Sequence, residues 1–240
     1  MYKQGLCVLG RGIEQAQNGK WLPTRLIEKP SPQGGHTGYR HLNLDPNDTV
    51  SRIAGSNANI IAATHLFTTL ANMGKAPQVV IFAAGRPSYL AQYPDPALAE
   101  GGIMAAKFVR LIQKRHRLEV PEIVIFQENK TTWDDTISSL LLADEQGLSR
   151  LWVITVSVHI ARAREFFFAA RAQNDSFGKI RVGLISSDKY LRRRYDRWRH
   201  IKEALLALLQ STAYERTEMS EQAGIRAFWA GTYRFSQEEP

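Results

Sequence analysis

The segment Thr155-Val156-Ser157-Val158-His159-Ile160-Ala161-Arg162-Ala163 holds the sharpest chemical signal in this chain. His159 and Arg162 are three residues apart, so at the start of a helix they share a face. A histidine placed where a strand ends can donate a proton near neutral pH. An arginine beside it can grip an anion with its planar fork. Ser157 adds a polar group to the same turn. A lone histidine is more often structural than catalytic, but the pairing with Arg162 after a Thr/Ser turn favours function.

Three other turns offer related chemistry. Gly10-Arg11-Gly12 follows an apolar run, and glycines there let backbone N–H groups approach a phosphate or carboxylate. A dinucleotide fingerprint would need a third glycine where Gln15 stands, so a plain strand-ending turn is the competing reading. Ala83-Ala84-Gly85-Arg86 repeats the design of small residues followed by a guanidinium. In Thr131-Thr132-Trp133-Asp134-Asp135, Thr132 is placed to cap the helix that follows. Asp134 and Asp135 suit metal binding, general-base chemistry or the helix dipole, and spacing alone favours the cap and dipole. His36, His41 and His65 lack the usual zinc-ligand spacings and have no cysteine support, so no metal site is assigned.

The elements that must position these turns follow a simple rhythm. Apolar runs at Leu6–Leu9, Val79–Phe82, Ile123–Phe126, Leu151–Ile154 and Ile180–Ile185 predict five strands, each buried on both faces. Helical periodicity predicts helices over Ser56–Met73, Glu100–His116, Asp134–Gln146, His159–Ala172 and Tyr190–Gln210. Strand and helix in alternation predict a Rossmann-like α/β fold: a doubly wound, mainly parallel sheet of about five strands with helices on both faces. Each chemical turn then leaves the carboxyl edge of a strand, the edge where such sheets bind ligands. The expected domain covers residues 1–212, with residues 213–240 as a tail packing on the body. Residues 22–50, rich in Pro, Gly, Asn and Asp, predict a long loop over the cleft mouth.

The totals narrow the partners. A formal charge of +8 on 240 residues predicts attraction to anions without choosing among them. The basic run Arg192–Lys202 carries Tyr195 and Trp198, as single-strand binders do, but reads better as a solvated helix face. Nucleic acid is therefore not the expected partner. No apolar stretch reaches the length of a membrane span, and the single cysteine, Cys7, lies in an apolar run. A cytoplasmic location is the expectation.

In order and spacing, this series of turns resembles the DUF218 (SanA/YdcF-like) family. That family has a glycine turn after its first strand, an SGG-like turn after its second and then EA-x-x-M. T-x-E-N follows strand three and VTS-x-x-H-x-x-RA follows strand four. The counterparts are Leu9-Gly10, Ala83-Ala84-Gly85, Glu100 with Met104, Thr132-Trp133-Asp134-Asp135, and Thr155 through Ala163. Alanines replace the serine and first glycine of the second turn, and Asp134-Asp135 replaces Glu-Asn.

Two functions are expected from these residues and the resemblance together. One is a hydrolase or transferase acting on a phosphate- or pyrophosphate-containing small molecule, nucleotide-like or an envelope precursor. Arg11, Arg86 and Arg162 would hold the anion, with Gly10, Gly12, Gly85, Thr132, Asp135 and Ser157 lining the site. His159 would be the acid, and Asp134 or Glu100 the base or a ligand for Mg2+. The other is a non-catalytic module for a nucleotide-like ligand, for which the resemblance suggests S-adenosylmethionine.

Overall fold

A computed structural model describes residues 3–15, 19–23, 55–85, 99–194, 203, 206, 209–210 and 212–233. The chain opens with β1 (Gln4–Leu9), whose six residues are all buried. A small antiparallel hairpin follows, β2 (Ile13–Gln15) paired with β3 (Trp21–Pro23). Then come α1 (Gly55–Asn72), β4 (Val79–Ala83), α2 (Glu100–Leu111) and β5 (Glu122–Ile125). The second half runs α3 (Thr132–Glu145), β6 (Arg150–Thr155), α4 (Ser157–Gln173), the short α5 (Asp175–Gly178), β7 (Arg181–Ser186) and α6 (Ser187–Arg194). The last described helix is α7 (Thr212–Trp229).

The five long strands form one parallel sheet in the order β5-β4-β1-β6-β7. Leu6 of β1 lies level with Val80 of β4 on one side and Trp152 of β6 on the other. Alternate side chains of each strand feed two cores. Leu6, Val8, Val80 and Phe82 pack with Met104, Phe108 and Leu191 beneath α1, α2 and α6. Cys7, Leu9, Ile81 and Val153 pack with Leu140, Ala163 and Phe167 beneath α3 and α4. The fold is thus the doubly wound α/β architecture, with its direction of winding reversing between β1 and β6. In such sheets the carboxyl edge at this reversal is where ligands bind.

Several boundaries differ from the sequence expectation, each for a local reason. Trp21-Leu22-Pro23 is a strand, because it pairs antiparallel with Ile13–Gln15. Residues 24–50 of the expected long loop lie outside the described residues, as does most of the expected helix beyond Arg194, of which Glu203, Leu206 and Leu209 are described and helical. The helix expected to run to His116 gives way after Leu111 to a π-helical turn, Ile112–His116. Arg117 ends it at φ 54, returning its N–H to the Ile112 carbonyl. No helix among the described residues is long and apolar enough to cross a membrane.

Candidate functional site

The end of β1 delivers Arg11, and the first turns of α4 deliver His159 and Arg162. All three meet a carboxylate from the far end of the chain, Glu221 of α7. Arg11 Nη1 lies 2.8 Å from Glu221 Oε1, Arg162 Nε 2.8 Å from Oε2, and His159 Nδ1 2.9 Å from Oε2. None of the four is more than 8% exposed, so solvent screens these charges little.

Two helices with matching stripes make the meeting possible. On α4 the stripe is His159, Arg162 and Phe166; on α7 it is Glu221, Gly224 and Phe228, at the same intervals. Phe166 and Phe228 pack with ring centroids 4.5 Å apart, and Trp133 leans on both. Between acid and aromatic, Gly224 leaves the space that Arg162 fills: a Cβ there would stand 3.1 Å from Nη1. Earlier on both helices, the Ser157 hydroxyl meets that of Tyr214. Contacts advance along both helices together, so α7 runs parallel to α4.

Burial first, then the Arg162 and Arg11 guanidiniums, hold the His159 imidazole down to about 4 despite the opposing pull of Glu221. Burial alone would push the Glu221 carboxyl up, but His159, Arg11 and Arg162 together hold it well below the usual carboxylate range. The cluster near neutral pH is therefore two guanidiniums, one carboxylate and a neutral imidazole. At 2.9 Å from a carboxylate oxygen, Nδ1 must carry the ring's proton and donate it, which leaves Nε2 as a lone pair. With the ring neutral, Nε2 offers a lone pair rather than a proton, and at 2% exposure His159 belongs to the core rather than to the loop surface expected.

The glycine turn has a different occupant from the one expected. Glu100 Oε1 accepts the N–H groups of Arg11 and Gly12 at 2.6 and 2.5 Å, and the Ser56 hydroxyl at 2.7 Å. The turn is an anion nest, and its anion is internal. Gly10 is required by that packing, since a Cβ would fall 2.4 Å from Ala84 Cβ and 2.6 Å from the Glu100 carboxyl. Gly85 is required too: its carbonyl accepts the Glu100 N–H, and a Cβ would meet the Asn129 carbonyl oxygen at 1.8 Å. Asn129 in turn donates to Asp135 at 2.9 Å. Burial pushes the Glu100 carboxyl up. Asp135 rises to about 7, chiefly by burial and further by the nearby Glu100 charge.

The turn before α3 is purely a cap. Thr131, not Thr132, is the N-cap: its side chain accepts the Asp134 N–H at 3.2 Å, and Asp134 Oδ2 accepts the Thr131 N–H at 2.9 Å. The reciprocal box shifts the helix start two residues ahead of the one expected and commits Asp134 to structure. Ser157 is likewise committed, donating its hydroxyl to Asp188 Oδ2 at 2.6 Å while its N–H bonds the same carboxylate. Arg86 lies outside the described residues. An open groove of about 380 Å³ runs beside α3, lined by Lys130, Trp133, Asp134 and Ser138 among others. Among the described residues, no three His, Cys, Asp or Glu side chains gather as a metal site.

The structure therefore joins Gly10, Arg11, Gly12, Gly85, Glu100 and Asp135 in one network, and Arg11 links that network to His159 and Arg162. Sequence reading missed Glu221 and Asp188. The signal for Glu221 was present as Tyr214, Glu221 and Phe228 at seven-residue spacing, with Gly224 inviting a close approach within a helix. Nothing local pointed to Asp188. Comparison with family models, with curated proteins and with solved structures finds no match to this chain.

Proposed function

We propose that the chain binds a phosphate- or pyrophosphate-containing small molecule over the carboxyl edge between β1 and β6, and hydrolyses it or transfers its phosphoryl group. The supporting observation is the convergence of Arg11, Arg162 and His159 on one carboxylate oxygen pair. Two guanidiniums against one carboxylate leave one positive charge in excess at the edge where such folds bind ligands. His159 would act as the base through Nε2, and Asp135, near 7, would be the proton carrier. Membership of the DUF218 (SanA/YdcF-like) family and a cytoplasmic location belong to the same proposal, the latter supported by the lone buried thiol of Cys7.

A second reading is favoured by a specific observation. Glu100 and Asp134, two of the three groups expected to do chemistry, spend their oxygens on backbone N–H groups. That commitment suits a module that binds a nucleotide-like ligand such as S-adenosylmethionine without turning it over. The test is to incubate purified protein with pyrophosphate and nucleoside di- and triphosphates, with and without Mg2+, following phosphate release. Calorimetric titration with the same compounds and with S-adenosylmethionine runs in parallel. Turnover lost in His159→Gln supports the enzyme; S-adenosylmethionine binding with no turnover of any phosphate compound supports the module. Neither binding nor turnover would overturn both.

A further inference from the structure

The +8 charge of the chain is not spread evenly over the molecule. The face covered by α1, α2 and α6 carries it. Helix α1 contains no Asp or Glu, and residues 100–117 hold five lysines and arginines against the single acid Glu100. Helix α6 holds four against the single acid Asp188. Both of those acids are buried and bonded inward, Glu100 to the glycine turn and Asp188 to Ser157. The outer surface of this face therefore presents cations without compensating carboxylates from its own helices. On the opposite side, α3, α4 and α7 together hold eight acids and five arginines. Among the described helices, the two sides of the sheet are electrically opposite.

Geometry concentrates the positive side further. Lys107 and Arg110 on α2, Lys114 and Arg115 on its π-helical extension and Arg117 at its end gather five cations on one continuous helical segment. On it, His116 meets His65 of α1 with ring centroids 6.3 Å apart. Arg194 of α6 and Arg115 both bear on His65, which burial first and then these charges hold down to about 4. Three separate elements thus bring like charges together. Among the described residues, none of Arg110, Lys114, Arg115, Arg193 or Arg194 forms an ion pair with a carboxylate.

We propose that the α1–α2–α6 face is a docking surface for the phosphate backbone of a nucleic acid, separate from the site at the carboxyl edge. Like charges held close on packed helices repel one another, and a regular row of phosphates relieves that repulsion while releasing counterions. Arginines outnumber lysines on these elements, and the guanidinium fork matches phosphate oxygens. A lipid surface fits less well. Peripheral membrane helices join charge to an apolar wedge, and among the described residues the exposed large apolar side chains are Leu141, Phe168, Met219 and Trp229 on the other side, with Met73 alone on this one.

The experiment is fluorescence anisotropy of a labelled 20-base-pair duplex of mixed sequence against the full chain, in 50 and 200 mM salt. About five phosphate contacts predict a slope near −4.5 and so about a 500-fold loss of affinity across that range. Arg115→Gln combined with Arg194→Gln removes two exposed cations from the face and should shallow the slope by about two units. Arg164→Gln combined with Arg226→Gln makes the same change in net charge on the opposite side and should leave affinity within about twofold. Equal losses in the two double variants would mean that net charge alone binds, and the proposal falls. It falls equally if the duplex does not bind at 50 mM salt, or if phosphatidylserine vesicles capture the chain and the duplex does not.

Discussion

Two carboxylates, Asp134 and Glu221, each sit against nitrogen donors, and the contrast between them separates local from global design. Asp134 closes a capping box with a partner three residues away, half in solvent. Glu221 reaches a partner 210 residues away in the interior. The first arrangement would form in any helix beginning with these residues. The second exists only once the sheet has placed Arg11 beside α4 and α7 has docked. Its worth is also of another kind, because removing one member of a buried ion cluster leaves the remaining charges without compensation.

That contrast fails most visibly if Glu221→Ala proves mild. The variant strands Arg11 and Arg162 in the interior, and its expected cost is about 3–5 kcal/mol by urea denaturation. A loss under about 1 kcal/mol would mean that water or a rearranged α7 compensates the guanidiniums, and the cluster would be no more than an exposed pair in effect.

The pH dependence sharpens the same point through signs. His159 falls from an ordinary 6.5 to about 4, so the unfolded chain binds the extra proton between those values and stability drops as pH falls through them. Asp135 rises from 3.8 to about 7, so the folded chain binds the proton there and stability grows as pH falls. The two opposite contributions partly cancel in the native sequence. Asp135→Asn keeps the shape and still accepts from Asn129, so it should expose the histidine contribution. Between pH 7 and 4 the variant is expected to lose on the order of 2–4 kcal/mol more than the native chain, by denaturation at a series of pH values. An unchanged slope would place Asp135 in better-solvated surroundings than its burial indicates.

The smallest expected effect belongs to the local member of the comparison. Thr131→Ala removes a cap from an otherwise intact helix and should cost about 1 kcal/mol. Because the interaction is local, it should add to Glu221→Ala without coupling. A coupling above about 0.5 kcal/mol in the double variant would tie the α3 turn to the α7 cluster through Trp133.

The sheet was legible because parallel strands buried on both faces appear as unbroken apolar runs; all five fell within two residues of the observed strands at each end. The hairpin was not legible, since Ile13–Gln15 and Trp21–Pro23 are three residues each, too short to show a period. At the site, reading each turn by itself named residues that the fold brings together in one network. It could not see that internal acids would answer the donors, because Glu100, Asp188 and Glu221 come from the starts or middles of other helices. His159 was misjudged for the same reason: its burial is imposed by α7, which no feature of the α4 turn announces.

Synthesis order gives the parallel docking of α7 on α4 a temporal consequence. Sixty-two residues separate His159 from Glu221, and at 5–20 residues per second a ribosome needs about 3–12 seconds to make them. Once β7 has been made, partway through that interval, the sheet strands are complete while Arg11, His159 and Arg162 still wait for their acid. The nascent chain thus carries an unanswered pair of guanidiniums at its carboxyl edge, until the last described helix brings Glu221 and leaves one positive charge in excess.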